Sequence, residues 1–500
     1  LYIYTADEMK EIDEKTIGGE DGKSLELMEK AAKSIYNVLS DRITGKKKHK
    51  QVLAVCGKGN NGGDGLALSR LLGNDGFNIR VLMTAGEKEL KRDTSVELKR
   101  LEISTDNVYY LGSSSRELLD QIIGDSDFII DAIFGTGFKG KVDGELSDIM
   151  LKINDSKATV VSIDIPSGLV GNNGRVYGNA IKADFTVVVD SLKTGNLLGQ
   201  APDYNGEIIV GEGIGLDKSQ ASPDKRLLSG KTAGKMKTRR SSGHKYDFGS
   251  LAIAGGSIGM TGAPLLSAKS GLGSGCGLST VLIDKEAYAY CNSPWPEVMI
   301  KPYANEVEFE KLLERATAAV FGPGMGMDEK YDKMMIKALK RDIPIVVDAD
   351  GIYRLNKARD QLVLKDKNLI ITPHLGEMAK LFRVKTEDVL DDPIYFVKSA
   401  VDCYNAVVVL KGPCTVIGAK NELWFYYKPN SGMACGGSGD VLSGIIGGLC
   451  AQGYETLEAA KKGVVIHGTA GEFARAEKNE WGMCAGDIIN NIYKGIEPLV

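Results

Sequence analysis

Residues 51–72 read QVLAVCGKGNNGGDGLALSRLL. An apolar run ends at Cys56, a loop of glycine, asparagine and aspartate follows, and apolar residues then return as the start of a helix. A strand with an unbroken apolar run is one buried on both faces, as in a parallel sheet covered by helices. The pattern recurs in NIRVLMT (78–84), DFIIDAIF (127–134), TVVSIDIP (159–166), DFTVVVD (184–190) and GEIIVGE (206–212), with amphipathic stretches between them. This alternation predicts a Rossmann-like, doubly wound α/β domain over residues 1–220.

Residues 221–244 are polar and hold no strand-length apolar run, so a linker is expected there. The alternation then restarts with SLAIAGG (250–256), LSTVLID (278–284), AAVFGPG (318–324), IPIVVDAD (343–350), NLIITPH (368–374), AVVVLKG (406–412) and CTVIGA (414–419). A second α/β domain is expected over 245–500. The length of 500 residues agrees, because single cores stop growing at about 250–300.

A formal net charge of −4 leaves no electrostatic footprint for nucleic acid, and the basic runs GKKKHK (45–50) and KMKTRR (235–240) read as solvated loop charges. The eight cysteines form no CxxC pair, which argues against zinc. No apolar run reaches the 18 or so residues of a membrane span and no leader pattern begins the chain, so a cytoplasmic location is expected. The 61 glycines exceed the usual share of about 7%, which directs attention to loops.

Two GK[ST] triplets, at Gly22 and Gly230, lack the earlier glycine of a phosphate loop, with Ile17 and Lys225 in its place. GKGNNG (57–62) is a formal GxGxxG after a strand, but the next strand ends VLMTAGE with no well-placed ribose-binding acid, which disfavours a nicotinamide dehydrogenase. The loop instead encloses Asn60, Asn61 and Asp64, while two further strand ends carry Asp131 and Asp164, the latter followed by Pro166 and Ser167. Strand C-termini of a parallel sheet gather along one crevice, and such oxygen-rich groups suit a hard cation. Each of these polar residues could alternatively serve as a cap.

In the second half, GMACGGSGDVLSGIIGGL (432–449) places glycines and Asp440 where a helix begins, as an anion site requires. GGSIGMTGAP (255–264), FGPGMG (321–326), VVDADG (346–351), TPHLGEM (372–378) and KGPCT (411–415) also lie at strand ends. Glycine amides facing a phosphate, with Asp440 beside a substrate hydroxyl, describe a ribokinase-like phosphoryl-transfer site.

GNNGGDGLALSRLL, DAIFGTGFKG and SIDIPSGL, in order, resemble the NAD(P)H-hydrate epimerase family. The resemblance implies that Asn61, Asp131 and Ser167 hold a potassium ion. It further implies that Asn60, Asn61, Gly62, Gly63 and Asp64, the loop Gly135, Thr136, Gly137, Phe138, Lys139, Gly140 and Lys141, and Asp164 contact the hydrated cofactor. Asp164 is expected to transfer the proton. PHLGEM, KGPCT and GMACGGSGD resemble the ADP/ATP-dependent NAD(P)H-hydrate dehydratase, with Ser431 and Cys435 departing from the usual proline and threonine. That resemblance implies Ala263, Gly324, His374 and Asp440 at the hydrate, and Lys411, Gly412, Pro413, Cys414, Thr415 and Gly439 at an adenine nucleotide.

The expectation is thus a bifunctional enzyme for hydrated NADH and NADPH, an isomerase joined to a lyase, using potassium in the first domain and magnesium with ADP in the second. A homo-oligomer is expected, with no membrane or nucleic-acid partner. The rival reading is a ribokinase-like kinase of another hydroxyl compound with a non-catalytic first module. His374 could instead cap its helix, Glu377 is expected to fix the loop beneath it, and His467 is expected to serve helix packing.

Overall fold

A computed structural model describes residues 1–20, 22–43, 50–102, 105, 107–219, 221, 223–359 and 368–500. The basic run at 45–50 lies outside them except for Lys50. The chain forms two compact units, Leu1–Pro223 and Asp224–Val500.

The first unit is built on a parallel sheet of β1 (Gln51–Cys56), β2 (Asn78–Met83), β3 (Val108–Tyr110), β4 (Phe128–Ala132), β5 (Thr159–Ile163), β6 (Phe185–Val188) and β7 (Glu207–Val210), in the order β3-β2-β1-β4-β5-β6-β7. The unbroken apolar runs serve both faces. Val52, Ala54 and Cys56 enter one core with Leu66 and Leu72 of helix Asn60–Asn74, while Leu53 and Val55 enter a second core with Leu119 and Ile149. Burying each such branched side chain contributes about 1.5–3 kcal/mol.

The second unit holds β8 (Lys225–Leu227), β9 (Ser250–Ala254), β10 (Leu278–Asp284), β11 (Met299–Tyr303), β12 (Ala318–Phe321), β13 (Ile345–Val347), β14 (Leu369–Ile371), β15 (Val407–Leu410), β16 (Cys414–Ala419) and β17 (Glu422–Tyr427). Their order is β11-β10-β9-β12-β13-β14-β15-β16-β17-β8, parallel except for the β15-β16-β17 meander. Helix Ser438–Ala451 packs on helix Gly262–Gly273 so closely that a Cβ on Gly444 would lie 2.1 Å from the Ser267 carbonyl oxygen.

The stretch expected as a linker is largely part of this second unit. β8 pairs with β17 at the sheet edge, and buried Lys462 donates from Nζ to the Ala233 and Gly234 carbonyls at 2.8 Å each. The Lys237 N–H donates to the Tyr454 hydroxyl at 2.6 Å. An edge strand has one ladder partner and is commonly charged, so a segment such as Lys225–Leu227 can form one without an apolar run.

Two candidate active-site crevices

In the first sheet the connections from the adjacent strands β1 and β4 run in opposite directions, which makes their C-terminal ends a topological switch point, the place where ligands bind in such sheets. The second sheet repeats this between β9 and β12. Both candidate sites lie at these switch points.

In the first crevice, helix Asn60–Asn74 starts hard against the end of β1. A Cβ on Gly62 would stand 1.9 Å from the Gly57 carbonyl oxygen, which only glycine avoids. Asn61 Nδ2 donates to the Phe134 carbonyl at 3.0 Å, and a Cβ on Gly135 would lie 3.3 Å from the Asn61 Cβ, so the loops after β1 and β4 meet. The Phe138 ring stacks on Phe134 at 4.5 Å, whereas Gly137, Lys139, Gly140 and Lys141 are exposed at the rim.

Asp131 is fully buried and accepts from the Ser162 hydroxyl at 2.7 Å, the Ser167 N–H at 2.8 Å, the Ser167 hydroxyl, and the Ile133 N–H at 3.3 Å. Burial pushes its pKa up and these hydrogen bonds oppose the shift. All four donors are neutral, and no ion pair to Asp131 occurs among the described residues. The Ser167 hydroxyl and the Asn61 amide both also reach the Phe134 carbonyl, at 3.3 and 3.0 Å, so hydroxyl, amide and carbonyl oxygens gather near the buried carboxylate, donor types that suit a hard cation.

Asp164 adopts a left-handed backbone, φ 65°, which costs a residue with a Cβ about 1–3 kcal/mol. Its N–H donates to the Val187 carbonyl at 2.8 Å, its Oδ1 accepts from the Val189 N–H at 3.0 Å and forms an ion pair with Lys193, and its carbonyl accepts from Asn196 Nδ2 at 2.9 Å. Asp64 faces the same pair. Burial first, then the Asp164 charge, drives its pKa well above the carboxylate range, with Lys193 opposing. Sequence reading missed Lys193, whose only signal was a lysine close after an apolar strand.

In the second crevice, Ala263 and Gly324 adjoin each other: a Cβ on Gly324 would lie 3.2 Å from the Ala263 Cβ. Gly322, φ 126°, lets the loop after β12 touch the Asp348 carbonyl, where a Cβ would fall 1.9 Å from oxygen. The Gly326 N–H donates to Asp350 at 2.8 Å, and the Ser267 hydroxyl donates to the Asp440 carbonyl at 2.8 Å. Lys411 pairs with Asp348 at 2.8 Å and lies 3.7 Å from Glu377, and a Cβ on Gly439 would be 3.2 Å from Lys411 Nζ. Burial works against the Lys411 charge, but Asp348 and Glu377 hold its pKa above the ordinary value.

Gly437, φ 92°, turns the glycine loop into helix Ser438–Ala451, and half-buried Asp440 lies in the first turn. Burial, then the charge of Asp348, raises its pKa to about 7 against the pull of Lys411. His374 does cap helix Leu375–Phe382, its Nδ1 accepting from the Gly376 and Glu377 N–H groups, and Glu377 returns the bond to the His374 N–H at 2.8 Å. Its side chain remains 58% exposed, so capping leaves the ring open to a ligand. His467 is held down to about 4 by burial and lies 3.4 Å from the Ser438 hydroxyl, beneath the glycine loop. Gly412 and Pro413 are exposed, but the Cys414 side chain turns into the core. Asp348 was not singled out in the sequence, although VVDADG contains it.

These crevices define a two-unit α/β enzyme whose second unit has ribokinase-like architecture. A ribokinase-like superfamily protein from Enterococcus faecalis matches with a TM-score of 0.50 and 24% identity, covering 55% of this chain and 97% of that one. Residues 251–494 match the NAD(P)H-hydrate dehydratase family model and residues 24–195 the YjeF-related protein N-terminus. The bifunctional NAD(P)H-hydrate repair enzyme of Coxiella burnetii is 34% identical over 95% of both chains, and that of Escherichia coli 34% identical over 90% of this chain and 85% of its own. The chain belongs to the bifunctional NAD(P)H-hydrate repair enzyme family. No helix among the described residues is long and apolar enough to cross a membrane.

Proposed function

We propose that the first unit interconverts (6R)- and (6S)-NAD(P)H hydrate and that the second dehydrates the (6S) form, converting ADP to AMP and phosphate. The observation carrying this reading is Asp440, held near neutrality at the start of a glycine-led helix beside Lys411. As a base, Asp440 takes the C6 hydroxyl proton while that oxygen attacks the terminal phosphorus. The new O–P bond forms as the bond to the departing AMP breaks. Amides around Gly439 receive the charge that develops on the phosphoryl oxygens. Hydroxide is a poor leaving group and its phosphate ester a good one, so phosphate departs and loss of a ring proton restores the dihydronicotinamide.

Ala263, Gly324 and His374 line the hydrate side, while Lys411, Gly412, Pro413, Thr415 and Gly439 line the nucleotide side, the Cys414 side chain being turned away into the core. Magnesium arrives with the nucleotide phosphates and neutralises their charge. In the first unit, Asn60–Asp64, Gly135–Lys141 and Asp164 contact the hydrate. Asn61, Asp131 and Ser167 hold potassium, whose positive charge offsets the buried carboxylate. A cytoplasmic, homo-oligomeric enzyme completes the reading.

The test follows dihydronicotinamide absorbance after the protein and magnesium are added, with ADP or ATP, to mixed-epimer NADH hydrate. Full recovery with ADP is expected. No recovery with either nucleotide would turn attention to another hydroxyl substrate. With Asp440 as base, kcat/KM for (6S)-hydrate should fall as pH drops below about 7, approaching tenfold per unit, because the active form is deprotonated. A flat profile between pH 5.5 and 8 would exclude this role.

A further inference from the structure

We propose that Lys193 is a positioning residue for epimerisation, acting through the carboxylate of Asp164. This rests on the epimerase reading of the first crevice. Lys193 is 3% exposed, and its ammonium makes the ion pair with Asp164 while donating to the Val189 carbonyl at 2.8 Å. The same turn fixes the rest of Asp164, since the Asn196 amide holds its carbonyl and the Val189 N–H its Oδ1. Asn196 Oδ1 accepts from the Lys193 N–H at 2.8 Å, so the segment that places the lysine also clamps the aspartate.

Such a left-handed residue persists only when its surroundings over-determine it. A buried lysine is a costly way to stabilise a loop, because both charges must leave water. Here it fixes one carboxylate oxygen and balances the charge shared by Asp164 and Asp64 at the crevice wall. The consequence for proton transfer is geometric: Asp164 is aimed before substrate arrives, and without the ammonium its carboxylate can turn away.

The experiment uses the full chain and measures epimerisation of (6R)-hydrate above the spontaneous rate, with dehydration of (6S)-hydrate in the same preparation as control. Lys193→Gln keeps a donor for the Val189 carbonyl but removes the charge. Its kcat should fall by about 10²-fold, with KM changed less than about threefold, while Lys193→Arg recovers to within about tenfold of wild type. The Lys193→Gln, Asp164→Asn double variant should be no slower than Asp164→Asn alone, because a residue acting through another adds nothing once that one is gone. If the Gln variant does not fold, Lys193→Met is read in the same way.

Wild-type kcat in the neutral variant, a loss confined to KM, Arg no better than Gln, or losses that multiply in the double variant would each overturn the inference. If Asp164→Asn itself epimerises normally, the underlying reading of the crevice fails. An inactive Asp164→Asn beside a fully active Lys193→Gln would remove this inference alone.

Discussion

Asp440→Asn is expected to lower dehydration of (6S)-NADH hydrate by about 10³-fold, the middle of the range for general acid–base groups and equal to about 4 kcal/mol of barrier. The substitution keeps the shape of the helix start and removes a carboxylate that burial and Asp348 have brought to about 7. The KM for ADP should change by less than about threefold, because the Gly439 amides and Lys411 remain in place. Epimerisation of (6R)-hydrate in the same protein should proceed at the wild-type rate, which makes it the control for folding. Residual dehydration within about fivefold of wild type would mean that another group takes the proton.

Asp164→Asn should produce the complementary defect, a loss of about 10²–10⁴-fold in epimerisation with dehydration of pure (6S)-hydrate unchanged. Given mixed-epimer hydrate, such a variant should restore absorbance quickly to the (6S) fraction and then creep upward at the spontaneous rate. The ion pair with Lys193 and the strained φ of 65° show how much local structure is organised around this one carboxylate. Recovery as fast and complete as wild type would make the first unit a binding module without chemistry of its own.

Much of the molecule is legible in the chain. Apolar runs such as QVLAVC and AAVF read as strands buried on two faces and are strands, whereas GKGNNGGDG reads as a loop up to Gly65 but turns helical already at Asn60, so that Asn60, Asn61 and Asp64 lie in the first turns of the helix. Local chemistry decides those features, since periodicity and backbone freedom act over a few residues. The edge strand β8 was missed because an edge requires no apolar run, and β17, ELWFYY, was passed over although its apolar core is plain.

The sequence by itself determined two α/β units and put glycine-rich loops, Asp164 and Asp440 at strand ends and a helix start, where the proposed chemistry needs them. Only the tertiary structure decided which loops share a crevice, because the order β3-β2-β1-β4 and its counterpart β10-β9-β12 are set by how crossovers pack. It alone supplied Lys193 for Asp164, 29 residues away, and Lys411 for Asp348, 63 residues away. Proton affinities follow from burial and from charges brought together by the fold, so the value near 7 at Asp440 could not be read from GGSGD.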